Sequence, residues 1–588
     1  MRQATARWAR WLTCDYLIEH AVKQSYDVIV VGSGAAGGMS SYVLTQAGMS
    51  VLMLEAGRDY DPVSESPMFK LPGDAPLRGA PTPDKPYGFY DATVDGGWQI
   101  PNEPFTVAKG DEFKWWRARM LGGRTNHWGR IALRFGPYDF KSYSRDGLGT
   151  DWPLSYAELA PWYDKTERLI GVTGARHDLE NVPDSPEGVH LPPPPPSPSD
   201  YFVSHGFRAL GIPVAAIRVA VLTRPLNGRP QCLYTTPCRW GCAIGANFQS
   251  TTVLIPPARK TKRLTIRTHA LVYQIEVDPS GRARGVSFVD CRTGEHHCVR
   301  AKAVVLAAGT CESARILLNS KSGHYPHGIA NESGLVGRNL MDSVANTTLA
   351  QFPALENLPP RRDDGIGGAT LRHIYAPWWG LGKQARKELE FPRGYHIELA
   401  GGRTMPGVYE FPDYAEHCEA THGVKLRDEI RRHYGSYYSF HGNGEMIPNA
   451  NSYCEIDSSV KDKWGIPVLR FHFKWGDSER RQAAHMRNTF AEITQVLGGK
   501  VVRLSPNEEK LLAAGGETSH EVGTTRMGDS PTSSVVNRFG QSWSVRNLFV
   551  MDGGVFAANS DKNPTLTILA LAWRNSAYLI DEARRGSL

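Results

Sequence analysis

Thirty residues near the start of the chain, 26–55, restrict its fold more than any other stretch. Tyr26-Asp27-Val28-Ile29-Val30-Val31 is a β-branched run without polar alternation, the pattern of a strand buried on both faces of a parallel sheet. Gly32-Ser33-Gly34-Ala35-Ala36-Gly37 follows directly, a helix is predicted over 38–47, and Ser50–Leu54 reads as a second strand that ends at Glu55. Each position has a physical task. Gly32 permits the tight turn, Gly34 lets the backbone approach a pyrophosphate, and Gly37 lets helix and strand pack closely. The helix N-terminus faces the phosphates. Glu55 falls roughly 20 residues after the glycines, where its carboxylate can accept hydrogen bonds from an adenosine ribose. The unit predicts an α/β chain, α+β overall, with a Rossmann-like dinucleotide-binding domain.

The rest of the sequence bears on which dinucleotide binds. The second half of a nicotinamide domain does not follow within the next hundred residues. Two further strand-then-glycine elements occur far away, at 303–309 and 548–554. A binding domain assembled from the start, middle and end of the chain suits an extended FAD better than NAD. Strands are predicted over 264–267, 270–277, 283–290, 303–307, 452–456 and 468–473. Helices are predicted over 156–169, 311–319, 478–497 and 565–578. Leu191–Pro198 reads as a stiff polyproline connector.

Composition excludes other classes. With 588 residues, 41% hydrophobic and 22% charged, global disorder is not expected. The net charge of +7 is spread out with no dense basic block, so no nucleic-acid partner is expected. Nine cysteines are too sparse for a disulfide scaffold. The first 25 residues are basic, but Asp15, Glu19, His20 and Lys23 interrupt any apolar core. They read as a helical extension rather than a signal peptide. The longest apolar stretch elsewhere, Leu566–Trp573, is far short of the ~20 residues that span a bilayer, so no transmembrane segment is expected.

Oxidising a carbinol requires a hydride acceptor and a group to take the hydroxyl proton. Flavin N5 can serve as the first, and histidine is the natural second. His520 lies in Thr518-Ser519-His520-Glu521-Val522-Gly523, a polar segment without clear periodicity. Asn563 stands next to Pro564, before the final helix, where an amide can hold the substrate oxygen. Trp115 and Trp116 precede a glycine loop and are candidates to stack on a substrate.

At this point the chain resembles the glucose-methanol-choline (GMC) flavin oxidoreductases. The likeness covers most of 26–588. It is densest at Asp27–Gly57, Leu121–Arg130, Ala303–Leu317, Val336–Asp342 and Ser519–Asn575, with His520 and Asn563-Pro564-Thr565-Leu566-Thr567 the most specific part. The resemblance implies an FAD domain from 26–60, 230–345 and 507–588. It is interleaved with a flavin-loop and substrate domain, built on an antiparallel sheet, from 61–229 and 346–506. It makes His520 the catalytic base and Asn563 its partner. Gly32, Gly34, Gly37, Glu55, Gly123, Asn126, His127, Val272, Asp552, Gly553 and Thr565 become cofactor-binding positions. Gly122-Gly123-Arg124-Thr125-Asn126-His127-Trp128 is similar to the flavin loop of pyranose oxidases and some bacterial sugar dehydrogenases. There a histidine can bond covalently to the flavin 8α-methyl; the alternative is that His127 only packs or hydrogen-bonds beside the flavin.

Cys232, Cys238 and Cys242 lie within eleven residues. On spacing alone they could wrap an iron–sulfur cluster, ligate zinc with a fourth partner, or be packed thiols. Their spacing is similar to the loop that holds a three-iron, four-sulfur cluster in bacterial FAD-dependent glucose dehydrogenases. That likeness implies a sugar dehydrogenase whose electrons leave through the cluster to a cytochrome c or quinone. It also implies a small helper subunit and export to the periplasm; a cytoplasmic enzyme is the alternative. Cys14, Cys291, Cys298, Cys311, Cys418 and Cys454 read as ordinary thiols. Competing functions are an oxygen-using oxidase, a polyol or gluconate dehydrogenase, a nicotinamide dehydrogenase, and a non-catalytic flavin-binding electron-transfer subunit.

Overall fold

The computed structural model describes residues 25–66, 68, 74, 76–80, 82, 96–234, 241–357, 373–377, 389–402 and 415–588. The expected N-terminal helical extension and Cys238 lie outside the described residues.

The β-branched run does form a buried central strand, β1 (Tyr26–Val31). Helix α1 (Ala35–Gln46) returns the chain to β2 (Val51–Leu54), which lies parallel to β1. The sheet continues with β3 (Leu264–Arg267), β4 (Ala270–Val277), β5 (Ala283–Asp290) and β6 (His296–Leu306). Its order is β3-β2-β1-β6-β5-β4. β6 is longer than the predicted 303–307 and does two jobs. Its first half pairs antiparallel with β5, and its second half runs parallel to β1. A strand near the end of the chain, Leu548–Val550, also pairs parallel with the second half of β6. Helix α2 (Thr310–Asn319) leaves β6 through Gly309.

A second sheet is built from β7 (Val344–Gln351), β8 (Ile374–Ala376), β9 (Tyr395–Gly401) and β10 (Tyr437–Gly444). Its other members are β11 (Lys500–Ser505) and the short strand Ala215–Ala216. All its pairings are antiparallel, in the order β11-β7-β10-β9-β8 and then Ala215–Ala216. Helix α3 (Asp477–Val496) covers one face. Phe440, Ile397 and Leu399 meet Met486, Phe490 and Ile493 there in a dry core. Fully burying such a side chain contributes about 1.5–3 kcal/mol. A Cβ at Gly442 would fall 2.7 Å from Met486 Sδ, so the helix sits close against the sheet. The opposite face carries Glu398, Ser439, His441 and Asn443, which line a cavity shared with the first sheet.

Other expectations fare unevenly. The strands at 264–267, 270–277 and 283–290 form with those bounds. The expected strands at 452–456 and 468–473 belong to a separate small sheet, as Tyr453–Lys461 and Pro467–His472. Pro198 of the proline run opens a helix, Pro198–Ala209, with Ser197 as its cap. The closing helix α4 (Thr565–Arg584) is longer than predicted and packs on α1. Tyr42 meets Trp573 edge to face there, with ring centres 6.0 Å apart. Among the described residues no helix is long and apolar enough to cross a membrane. Cys298 is disulfide-bonded, which corrects its reading as an ordinary thiol.

Candidate active site

One cavity of about 840 Å³ runs from the β1–α1 turn to the polar face of the second sheet. Its first end is a cradle of backbone. Gly32 has φ +96°, and a Cβ there would lie 2.4 Å from the carbonyl oxygen of Ala307 on the neighbouring strand. A Cβ on Gly37 would lie 2.0 Å from the Gly32 carbonyl, so Gly37 acts by close packing and does not line the cavity. Gly34 and Gly309, in contrast, have nothing within 4 Å of that position and both face the cavity. They are the last residues before α1 and α2, and neither helix has a side-chain N-cap. Two sets of unsatisfied helix N–H groups therefore flank open space, the arrangement a pyrophosphate fills.

Glu55 ends β2 and lines the cavity, buried. It accepts hydrogen bonds from Ser33 N (3.2 Å), Ser33 Oγ (2.5 Å) and Gly57 N (2.8 Å). Burial raises its carboxyl pKa, partly offset by these donors. Val272, Gly123, His127, Asp552, Gly553 and Thr565 also line the cavity. Asp552 is committed to the protein: it accepts from Gly309 N (3.1 Å), Ser313 Oγ (2.5 Å) and Gly554 N (2.9 Å), tying the α2 entry to the C-terminal segment. Asn126 does not line the cavity. Its amide donates to Leu121 O (2.9 Å) and accepts from Thr251 Oγ1 (3.1 Å), so it braces the flavin-loop turn from behind.

His127 is half-buried and accepts from Trp116 Nε1–H at Nε2, at 3.0 Å; its Nδ1 is buried with no partner among the described residues. Dry surroundings, with Arg130 and Arg124 nearby, pull its pKa down to about 3. Trp116 is thereby spent on His127, and Trp115 stacks under Arg117 and packs against Phe471. Both line the cavity, yet both are buried and otherwise engaged.

At the other end His520 and Asn563 line the cavity together. The His520 backbone N–H donates to Asp342 Oδ1 (3.0 Å), and the Thr518 N–H donates to Asp342 Oδ2 (3.3 Å). Asp342 is fully buried, and burial beside Glu521 pushes its pKa up to about 7. His520 Nδ1 lies 3.0 Å from Ser343 Oγ, also buried. Desolvation, with Arg124 and His396 nearby, pulls the His520 imidazole down to about 3. Arg124 of the Gly122–Trp128 loop pairs with Glu521 at 2.8 Å, so the loop is tied to the histidine segment. Asn563 Nδ2 donates to Glu398 Oε1 (3.1 Å), while its Oδ1 is buried with no partner among the described residues. The preceding Lys562 ion-pairs with Asp561 (2.6 Å) and Asp139 (3.0 Å), which anchors this turn.

Ser343, Thr347, Glu398, His441 and Asn443 were not singled out from the sequence. The signal for the last three was present: His396-Ile397-Glu398-Leu399-Ala400 and Tyr438-Ser439-Phe440-His441-Gly442-Asn443 alternate with period two.

Cys232 and Cys242 meet in a small buried cluster with Met68, Ala243 and Ala246, away from the cavity lining. Gln249 accepts from the Cys242 N–H (3.2 Å) and donates to Asn126 Oδ1 (3.4 Å), linking this loop to the flavin loop.

A dinucleotide cradle opening onto a histidine–asparagine pair defines an oxidoreductase, and comparison with known proteins gives its family. Models of the GMC oxidoreductase family match residues 26–345 and 448–572. The chain belongs to the GMC oxidoreductase family, whose members bind FAD and act on CH–OH groups. It is 29% identical to the fructose dehydrogenase large subunit of Gluconobacter japonicus, over 96% of this chain and 99% of that one. It is 30% identical to 2-methyl-1,2-propanediol dehydrogenase of Mycolicibacterium austroafricanum, over 94% and 95%. It is 27% identical to paromamine 6'-oxidase of Streptomyces fradiae, over 94% and 90%. The fold is similar to that of pyridoxine 4-oxidase from Mesorbium loti, with a TM-score of 0.58 and 17% identity over 94% of this chain and 99% of that one. The open space at Gly34 and Gly309, between two uncapped helix N-termini, fits the pyrophosphate of FAD.

Proposed function

We propose that this chain oxidises a hydroxyl of a sugar or glycoside to a carbonyl, with His520 as the base. The observation that carries this reading is the shared cavity: one end is a dinucleotide cradle, and the other presents His520, Asn563 and a polar sheet face. FAD, when bound, supplies the hydride acceptor. Gly34, Gly309 and the two helix N-termini hold its pyrophosphate, and Glu55 and Val272 serve its adenosine end. The substrate hydroxyl gives its proton to His520 Nε2. Ser343 Oγ accepts from Nδ1–H, which keeps the Nε2 lone pair free for that task. The low imidazole pKa keeps His520 neutral before reaction. Asn563 holds the substrate oxygen, its amide oriented by Glu398.

The buried, unpartnered Nδ1 of His127 is the atom that can take up a covalent bond to the flavin methyl. Acid-precipitated protein that stays yellow supports that bond; a colourless pellet refutes it. Electron exit through a three-iron, four-sulfur cluster on Cys232, Cys238 and Cys242 completes this reading and rests on their spacing and on the packing of Cys232 beside Cys242. Iron and sulfide analysis of the purified protein tests it. A relative named as a large subunit supports a small partner subunit here; cytochrome c as acceptor and assembly in the periplasm belong to the same reading through the likeness of the cysteine loop.

The deciding experiment is anaerobic titration of the purified yellow protein with a panel of sugars, glycosides and polyols. Bleaching by one of them, lost in His520→Ala while FAD stays bound, is the expected result. Near-normal bleaching in that variant overturns the assignment.

A further inference from the structure

On the face of the second sheet that meets the cavity, Asn443 has both halves of its amide unmet among the described residues. Asn443 on β10 is 1% exposed, lines the cavity, and has no partner for Nδ2 or Oδ1 among the described residues. Leaving one buried amide group unpaired costs about 1–3 kcal/mol, so two on one residue call for a ligand. Gly442 and Phe440, its neighbours on the other face, pack against α3, so Asn443 points away from the core.

Register fixes what stands around it. Asn443 is opposite Ala345 of β7 on one side and His396 of β9 on the other. One row along, His441 is opposite Thr347 and Glu398. Thr347 Oγ1 and His441 Nδ1 are 2.5 Å apart, and Glu398 accepts from Asn563. Diagonal neighbours on such a sheet stand about 7–8 Å apart at the backbone, within reach of an Asn and a Glu side chain. The methyl group of Ala345 leaves room beside Asn443 that a larger side chain would take.

We propose that Asn443 is the specificity residue of this cavity: its amide binds a second hydroxyl of the substrate, close to the carbinol held by His520 and Asn563. The assignment rests on the oxidoreductase reading above and narrows it to polyols and sugars over simple alcohols. The chemistry selects a hydroxyl, which donates and accepts as one group and so meets both halves of the amide. A carboxylate would leave the amide oxygen unmet and stand near Glu398. An ammonium would leave the amide N–H groups unmet.

The test uses the FAD-loaded enzyme and alcohols matched by skeleton: 1,2-propanediol against 1-propanol, and 1,2-cyclohexanediol against cyclohexanol. Anaerobic flavin reduction gives a diol-to-monool ratio of kcat/KM. We expect about 10–100-fold in the native enzyme, the range for one or two hydrogen bonds to a buried polar group. Asn443→Ala brings the ratio to within about 3-fold of unity. Asn443→Ser, with one small hydroxyl, retains an intermediate ratio and carries the test if the alanine variant does not load FAD. A ratio near one in the native enzyme, or a native ratio kept in both variants, overturns the assignment. If no alcohol or sugar of any kind bleaches the native enzyme, it is the oxidoreductase reading that fails.

Discussion

Ser343→Ala isolates how His520, the proposed base, is held. The side chain is buried, its Oγ lies 3.0 Å from His520 Nδ1, and it is not part of the dinucleotide cradle. Removing it takes away the Nδ1 acceptor. In the tautomer needed for catalysis, Nδ1–H is then left in dry surroundings at a cost of about 1–3 kcal/mol. The other tautomer hides that cost by placing the proton on Nε2, where the imidazole can no longer act as base. At 1.36 kcal/mol per factor of ten, the loss predicted in the rate of flavin reduction is about 5–150-fold. Because the substrate still meets Asn563 and the polar sheet face, KM should change much less than kcat. FAD content should stay near that of the native protein. Anaerobic stopped-flow bleaching across pH, with substrate saturation at each point, measures both quantities. Ser343→Thr keeps a hydroxyl at the same position and should restore most of the rate. An alanine variant with native bleaching rate and pH profile would refute the role of Ser343. So would a threonine variant as slow as alanine, because packing rather than the hydroxyl would then be at fault.

Other outcomes follow from the same geometry. Gly37→Ala puts a methyl group 2.0 Å from the Gly32 carbonyl, against backbone that cannot yield; the variant should purify largely colourless and melt several degrees lower. With His520 held at about 3, the imidazole is already neutral well below pH 6.5. Flavin reduction by a saturating substrate should therefore show no inflection from His520 near 6.5; one that persists in Asp342→Asn, where the buried carboxyl that titrates at about 7 beside this segment is gone, would contradict this. The same shift has a stability consequence. Folded His127 and His520 bind protons only near pH 3, whereas the unfolded chain binds them near 6.5, so the stabilisation present above 6.5 is lost as pH falls toward 3. The melting temperature should drop across that window, and less steeply in a variant lacking both histidines. Glu398→Gln should lower kcat by about tenfold, since the Asn563 amide loses the charged acceptor that fixes its orientation. An unchanged kcat would show that Asn563 needs no such support.

The first sheet was legible because its residues answer to a single environment. Val28–Val31 and Val51–Leu54 are apolar on both faces and leave little ambiguity. The glycines at 32, 34 and 37 each have a steric reason visible in any such unit. The second sheet was not located strand by strand, because its strands serve two environments. In β9 and β10 the apolar residues face α3 and the alternate positions are His, Glu, Ser and Asn. Read without a partner strand, Ser439–Gly444 resembles a polar glycine turn. His520 was legible through its motif, but Ser343 was not, since a serine 177 residues away gains its meaning only from the pairing of Met341 with Val522. Asn126 shows the converse: the motif marked the residue, and the fold uses it behind the cavity wall rather than on it.

The position of the strand Leu548–Val550 has a consequence for synthesis. β6 has β1 on one flank, but the partner for the other flank of its second half is made only about 240 residues later. At about 5–20 residues/s, the roughly 240 residues between β6 and that strand take about 12–50 s to emerge. Throughout that interval the nascent sheet presents Val304–Leu306 as an unpaired apolar edge, the kind that recruits other chains. His520 and Asn563 arrive within the same last seventy residues. A ribosome that stops before Leu548 therefore releases an aggregation-prone polypeptide with this edge open and without Asn563, and yield should depend on chaperone supply more than on the stability of the finished chain.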